Sequence, residues 1–292
     1  MRRLGTILLP LLLGASGWAQ NAPAPKVLIP LLVRDSHNRP VSGLTAKSLV
    51  ISDHKTPVDD FSLLRAAELP LDLGVVIDTS ASQRYTTLPE ALKGAKEFVN
   101  NVIGAENDRV FFLTFSDKPE ATSWLKKEDL AGVSINVTFG RGTALYDSIA
   151  FACKQRLGLP DRQGPSRRVM ILISDGEDNA SNRPLAGAES EALKCSVVIF
   201  TISTQESPNH ASRRATKALE QLASVTGGES FTGLSRTDMP KVFATIKELM
   251  EGMYYASYFP PHPTDKVHDV EIKPSSKAKF EVSYPSKYVW LQ

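Results

Sequence analysis

The stretch from Leu71 to Ser82 reads LDLGVVIDTSAS and joins an apolar run to a polar turn. The run up to Ile77 is almost continuously apolar, which is typical of a strand covered on both faces of a parallel sheet. Asp78, Ser80 and Ser82 follow at alternate positions, in the turn where open α/β sheets place their ligand sites. A carboxylate and two hydroxyls can converge on one hard cation, and small oxygen ligands suit Mg²⁺. The sequence therefore predicts a divalent-metal site at the end of this strand.

Two further segments carry candidate metal ligands. Residues 140–145, GRGTAL, place Thr143 just after a glycine, at the entry to a predicted helix. Residues 169–176, VMILISDG, form a second apolar run that ends in Asp175 and a glycine. The carboxyl ends of parallel strands meet at one edge of a sheet, which is where these segments would bring their polar groups. The full set of candidate ligands is Asp78, Ser80, Ser82, Thr143 and Asp175.

The order Asp-x-Ser-x-Ser, Gly-Thr and strand-Asp-Gly resembles the metal-ion-dependent adhesion site of von Willebrand factor A domains. The resemblance implies an α/β fold with a doubly wound, mostly parallel sheet of Rossmann type, flanked by helices. It implies direct ligation by Ser80, Ser82 and Thr143, while Asp78 and Asp175 hold the ion electrostatically and through water. A partner's Asp or Glu carboxylate would complete the shell of Mg²⁺, or alternatively of Mn²⁺ or Ca²⁺. Without a metal, the serines would be helix caps and Asp175 a turn residue.

Residues 69–255 alternate between strand and helix patterns, which predicts a parallel sheet covered on both faces. The apolar runs 70–77, 109–115, 168–174 and 196–202 are the predicted central strands, and residues 120–125 are a predicted antiparallel edge strand. Gly227 and Gly228 give a helix-ending signal. The pattern of residues 133–139 fits either a strand or an extended loop.

The flanking segments, 20–68 and 256–292, lack helical periodicity and contain short alternating strands with turn residues. Neither has enough apolar residues to fold alone, so we expect the two to pair in a small β-module. Both resemble segments of exported von Willebrand factor A-related proteins of acidobacteria. The exit motif Tyr-x-x-x-Tyr-x-Pro is present here from Tyr254 to Pro260.

The N-terminus has the pattern of a secretory signal peptide over residues 1–19. Arg2 and Arg3 precede an apolar core, and small residues lead to a cleavage point between Ala19 and Gln20. The sequence thus predicts an exported chain, periplasmic or extracellular, with no transmembrane segment after cleavage. Without the leader, 32 basic and 32 acidic side chains remain, and no basic cluster with interleaved aromatics supports nucleic-acid binding.

Cys153 and Cys195 are the two cysteines of the chain. In an exported protein they permit one disulfide. Cys153 also lies on the apolar stripe of a predicted helix, and Cys195 precedes a predicted strand, so both equally fit small apolar core residues. The sequence leaves the two alternatives open.

The sequence offers little support for catalysis. The five histidines, His37, His54, His210, His262 and His268, show no paired metal-ligand spacing and are expected to be surface residues. No Gly-x-Ser-x-Gly elbow follows the predicted leader. We therefore expect a secreted, non-enzymatic module that binds protein through a metal. The alternatives are a Mg²⁺-dependent phosphohydrolase of α/β type and an envelope assembly factor with a vestigial metal site.

Overall fold

The computed structural model of the chain describes residues 26–135, 137–162, 164–205, 213–275 and 279–290. The predicted signal peptide and its cleavage point lie outside these residues, so export remains a prediction.

The strands, in chain order, are β1 (Val27–Arg34), β2 (Leu49–Asp53), β3 (Thr56–Pro57), β4 (Ser62–Arg65), β5 (Leu71–Asp78), β6 (Arg109–Phe115), β7 (Pro119–Ala121), β8 (Arg167–Ser174), β9 (Val198–Ser203), β10 (Ser230–Phe231), β11 (Tyr254–Tyr258), β12 (Val267–Pro274), β13 (Glu281–Ser283) and β14 (Lys287–Val289). The α-helices are α1 (Leu88–Val102), α2 (Leu145–Ala152), α3 (Leu185–Lys194), α4 (Arg213–Val225) and α5 (Met239–Gly252). Helix α2 continues as a π-helical turn over Cys153–Leu157.

The central sheet has six strands in the order β10-β9-β8-β5-β6-β7. All neighbours are parallel except β7, which pairs antiparallel with β6 at the edge. Helices α1 and α5 cover one face, and α2, α3 and α4 cover the other. The predicted fold class, a doubly wound α/β sheet flanked by helices, is confirmed.

Strand β5 lies in the middle of this sheet, and every one of its residues is buried. Gly74 is required there by close packing, because a Cβ at this position would lie 2.7 Å from Cζ of Phe111 on β6. Strand β5 is therefore packed inside the core along its whole length up to Asp78. This packing fixes the position of the Asp78 carboxylate.

The flanking segments pair with each other, as expected, in two antiparallel four-stranded sheets. One has the order β13-β1-β11-β4 and the other β14-β12-β2-β3. A shared apolar core, which includes Ile29, Ile51, Tyr258 and Ile272, lies between them. Each sheet combines strands from both ends of the chain, which neither segment could supply alone. The strand Tyr254–Tyr258 runs across the predicted domain boundary at residue 255.

The structure shortens one predicted strand and decides one segment that the sequence left open. The expected edge strand at 120–125 is shorter, at Pro119–Ala121, and Leu125 adds only an isolated bridge to Val110. The described part of residues 133–139 forms no regular strand. Its side chains Val133, Ile135 and Phe139 pack against the core below α1, which explains its apolar pattern.

Candidate metal centre

Asp78 ends β5 and is fully buried. One carboxylate oxygen accepts a 2.8 Å hydrogen bond from the Ser80 backbone N–H, and the other accepts a 2.7 Å bond from the Ser174 hydroxyl. Burial, and after it the nearby charge of Asp175, raise the pKa of Asp78 to about 6, against the lowering effect of these hydrogen bonds. The carboxylate is thus held rigidly in a place where its own charge is unfavourable.

The two serines connect this carboxylate to the next strand. The hydroxyl oxygens of Ser80 and Ser82 lie 3.0 Å apart, and Ser82 donates a 2.7 Å hydrogen bond to Asp175. Ser80 is buried, whereas Ser82 is exposed. The side chains of Ser80, Ser82 and Asp175 therefore form a line of oxygen atoms from the buried turn after β5 to the surface.

Asp175 follows β8 and precedes Gly176, whose φ is +83°. A Cβ on Gly176 would lie 2.5 Å from the backbone oxygen of Ala215 on α4, so both the turn and the close approach require glycine. The other carboxylate oxygen of Asp175 accepts a 3.1 Å bond from the backbone N–H of Glu177. The Asp-Gly pair thus places one carboxylate oxygen toward the serines.

Thr143 is buried in the loop that enters α2. Its backbone N–H donates to the Asn179 side chain at 2.8 Å, and its carbonyl accepts from the Asn179 N–H at 3.0 Å. On the other side, Gly140 forms a parallel bridge with Ser80. The threonine loop is therefore fixed between the turn after β5 and the loop after β8, which brings all three predicted segments to one edge of the sheet.

Asp117, which sequence reasoning missed, positions this loop. Its carboxylate accepts hydrogen bonds from the backbone N–H groups of Gly142, at 2.9 Å, and Arg141, at 3.3 Å. A Cβ on Gly142 would lie 2.5 Å from the same carboxylate, and one on Gly140 would lie 2.2 Å from the Ser116 hydroxyl. The only signal in the sequence was the glycine spacing, which did not reveal the partner.

Asp178 also has a structural role in the loop after β8. Its carboxylate accepts a 3.0 Å bond from the Tyr146 backbone N–H in the first turn of α2 and a 2.6 Å bond from Ser181. A carboxylate at this position accepts a hydrogen bond from an otherwise free N–H at the start of the helix. Its negative charge also interacts favourably with the helix dipole. Asp178 therefore joins the loop after β8 to the helix that follows Thr143.

The residues at this edge fit a hard divalent cation. The available ligand atoms are oxygens, from two carboxylates and three hydroxyls, which is the donor set that Mg²⁺ prefers. Asp78 and Asp175 repel each other when both are ionised, and the raised pKa of Asp78 reports part of that repulsion. A divalent cation would compensate both charges, which a single proton cannot do.

The model of the von Willebrand factor type A domain family matches residues 72–245. The chain belongs to this family. The match runs from the second residue of β5 into α5 and includes the three segments that meet at the candidate metal centre.

Individual relatives agree with this assignment. Bovine cochlin (Bos taurus) is 28% identical over 172 residues, and mouse cochlin (Mus musculus) is 31% identical over 144 residues. These matches cover 56% and 48% of this chain but only 30% and 25% of the relatives, so the chain spans less than a third of their length. A solved von Willebrand factor type A structure from Catenulispora acidiphila has 12% identity and a TM-score of 0.51, and the alignment covers 93% of this chain and 76% of the other. That likeness supports the fold, and the resemblance of the flanks to acidobacterial proteins stays a prediction.

The two cysteines face each other. The sulfur atoms of Cys153 and Cys195 lie 2.6 Å apart, and both residues are buried in the core beneath α2 and α3 as free thiols. Burial raises the pKa of the Cys153 thiol well above its ordinary value, so the thiol form is strongly favoured. The structure therefore brings the two sulfur atoms close together with both residues in the core, which is compatible with either of the two alternatives.

The expectation that the histidines are surface residues is wrong for His268, which is fully buried. His268 hydrogen-bonds to buried Asp53, and the ring of His54 lies 5.0 Å away between centroids. His268 is more than 200 positions from Asp53 in the chain, and the pairing of β2 with β12 brings the two together.

Within the described ranges, no helix is long and apolar enough to cross a membrane.

Proposed function

We propose that this chain is an exported binding module that captures a carboxylate of a partner protein through a divalent cation. The observation that carries the proposal is the line of side-chain oxygens from Ser80 through Ser82 to Asp175, beside Asp78, which accepts from the Ser80 backbone N–H. It joins the ends of two neighbouring strands and reaches the surface at Ser82. The proposed role is binding rather than catalysis.

The proposed ligands divide by chemistry. Ser80, Ser82 and Thr143 would ligate the ion through their hydroxyls, and Asp78 and Asp175 would supply the compensating charge directly or through water. Two carboxylates offset the charge of one divalent cation, and neutral hydroxyls add no further negative charge. An ion held in this way retains affinity for one more anionic oxygen, which an Asp or Glu side chain of a partner can provide.

Mg²⁺ is the cation that we propose first, because all the ligand atoms are small oxygens. Mn²⁺ shares the octahedral oxygen preference, and Ca²⁺ accepts a larger and more flexible shell. Ser82 is exposed, so an ion bound at its hydroxyl would be accessible from solvent. A protein ligand can therefore reach it without opening the fold.

Thermal unfolding tests the metal site directly. We expect Mg²⁺, Mn²⁺ or Ca²⁺ to raise the midpoint of the chain over its value in EDTA, because a ligand of the folded state stabilises by mass action. At a hundredfold excess over Kd the gain is about 2.7 kcal/mol, and each kcal/mol raises Tm by roughly 2–4 °C in a chain of this size. Asp175→Ala should abolish the shift, whereas Glu177→Ala, a neighbouring exposed acid, should retain it. An equal shift in both variants would contradict the assignment.

The partner chemistry requires a second measurement. A peptide with one central aspartate, immobilised on a sensor, should retain the chain in Mg²⁺ and release it in EDTA. The same peptide with asparagine at that position removes the anionic oxygen and is the matched control. Retention that is equal for the two peptides would rule out carboxylate capture while leaving the metal site intact.

A further inference from the structure

A second cluster of metal-binding side chains lies in the β-module, outside the centre described above. Asp53 ends β2, His54 occupies the turn that follows, and His268 is the second residue of β12. One potential ligand atom from each of these residues lies within 4.8 Å of the other two. The family model ends at residue 245, so it does not reach β12.

The carboxylate of Asp53 fixes the orientation of the buried histidine. One of its oxygens lies 2.8 Å from Nδ1 of His268, and the other accepts hydrogen bonds from the hydroxyls of Tyr258, at 3.2 Å, and Tyr288, at 2.5 Å. Burial raises the pKa of both phenols, so they remain hydroxyl donors. The ring of Tyr288 also stacks on His268 with centroids 4.6 Å apart. Asp53 therefore holds the imidazole of His268 in one orientation.

The ring nitrogens of His268 both face oxygen atoms. Nδ1 faces Asp53, and Nε2 lies 3.1 Å from the backbone carbonyl of Asp265. Both nitrogens of this buried ring therefore face oxygen atoms, which are surroundings that suit a bound cation.

His54 adds a second imidazole to this cluster. Its ring centroid lies 5.0 Å from that of His268, and His262 lies a further 6.0 Å from His54. A second imidazole is a common co-ligand of a transition metal. Asp265 and Asp269 lie 3.8 and 3.9 Å from the two ring nitrogens of His54 and add negative charge at the rim. We propose that Asp53, His54 and His268 bind a divalent transition-metal ion of the zinc type.

His54 is the ligand that can adjust to the ion. A tetrahedral zinc site with bonds of about 2.0–2.1 Å needs ligand atoms roughly 3.4 Å apart, so the cluster contracts slightly on binding. Asp53 and His268 are fully buried and locked by neighbours, whereas the His54 side chain is 29% exposed on a two-residue turn. His54 and Lys55 both have positive φ values, 48° and 65°, which asparagine tolerates well.

The test is a titration of the purified chain with Zn²⁺, and with Co²⁺ as a spectroscopic substitute, in an Asp175→Ala background. That background removes the proposed carboxylate of the other metal centre. We expect His54→Asn to weaken Zn²⁺ binding at least tenfold, since it removes one ligand while keeping the turn conformation. Lys55→Asn, at the adjacent position of the same turn, should bind Zn²⁺ within twofold of the parent chain.

Two results would overturn the proposal. One is Zn²⁺ affinity that is equal in the His54→Asn and Lys55→Asn variants. The other is a His268 ring that nitrogen NMR shows to carry protons on both nitrogens at pH 7.5 and to be unchanged by Zn²⁺. Visible Co²⁺ absorption typical of nitrogen ligands, lost in His54→Asn and kept in Lys55→Asn, would support it. Because the Asp175→Ala background is used throughout, a negative result here does not bear on the candidate metal centre at the edge of the central sheet.

Discussion

Asp78 combines complete burial with a neighbouring carboxylate, and this has a consequence for the pH dependence of stability. Its pKa is raised from 3.8 to about 6 in the folded chain, so in the absence of metal the folded state holds this proton more tightly than the unfolded state. The stabilisation is fully present below pH 3.8 and is lost as pH rises through about 6. Its size is on the order of 3 kcal/mol, at 1.36 kcal/mol for each pKa unit.

We expect urea unfolding in EDTA to show this effect as a difference between the wild type and Asp78→Asn. The amide does not titrate, so the wild type should lose stability relative to the variant between about pH 4 and pH 6. Comparison at each pH cancels the titration of other groups. With Mg²⁺ at pH 7 the wild type should instead be more stable than Asp78→Asn. The ion compensates the negative charge of the carboxylate, and the neutral amide offers no such charge. Parallel pH profiles for the two chains would contradict the assignment.

At the scale of single residues, the sequence predicted the candidate metal ligands but not the side chains that hold the neighbouring groups in place. Asp78, Ser80, Ser82, Thr143 and Asp175 were predicted from short motifs at strand ends, and the structure places their segments at one edge. Asp117 and the Asp53–His268 pair were missed, because each acts on residues distant in the chain. Local patterns contain no information about which buried side chain a distant carboxylate will meet.

At the scale of the elements, Asp72 ties the start of β5 to its surroundings. This carboxylate is 2% exposed and accepts hydrogen bonds from Arg109 at 2.7 Å, Arg162 at 2.9 Å and the Ser166 hydroxyl at 2.7 Å. It thereby connects β5 to β6 and to the segment that leads into β8. Removing one member of a buried ion pair leaves the other charges without compensation.

Asp72→Ala should therefore lower the free energy of unfolding by about 3–5 kcal/mol. Asp161→Ala is the matched control, because Asp161 pairs with the same Arg109 at 2.7 Å but is 35% exposed. A partly exposed pair contributes about 0–1 kcal/mol. Urea unfolding of both variants measures the contrast, and equal losses would show that burial is not what makes Asp72 important.

The pair Cys153 and Cys195 connects the end of α2 to the end of α3, across 42 residues of chain. If the chain reaches an oxidising compartment, as proposed, we expect the two thiols to form a disulfide. Closing a loop of this length in the unfolded chain stabilises the fold by about 3–4 kcal/mol in the chain-entropy model. Intact mass spectrometry of exported protein should show the loss of two hydrogens, and reduction should lower Tm. A Cys153→Ala variant should show neither effect, and two free thiols in the exported wild type would refute the expectation.

The four inner strands of the central sheet, β5, β6, β8 and β9, were predictable because each is a nearly continuous apolar run that is mostly buried. The prediction was weakest where burial is one-sided or irregular. Residues 133–139 carry an apolar pattern that serves packing without a strand, and the edge at 119–121 is too short to show a period. Such segments depend on what covers them, which a local pattern does not contain.

At the scale of the whole molecule, the two ends of the chain meet in the β-module, where β2 pairs with β12. The buried carboxylate of Asp53 depends on His268 and Tyr288 from the C-terminal segment. The central sheet lies between these segments in sequence and has its own core of strands and helices. The β-module should therefore unfold as a unit when either end of the chain is removed, while the central sheet stays folded.

Deletion of residues 259–292 tests this expectation. The deletion removes β12, β13 and β14, so β1 and β2 each lose an antiparallel partner. Asp53 also loses two of its hydrogen-bond partners, His268 and Tyr288, at a cost of several kcal/mol. Hydrogen exchange should then show fast exchange at the amides of Leu49–Asp53 and continued protection in Leu71–Asp78 and Arg167–Ser174. Loss of protection in all three strands would mean that the β-module and the central sheet fold as one cooperative unit. The metal-dependent rise in Tm, measured on the same deleted chain, should survive if the central sheet alone holds the candidate metal centre.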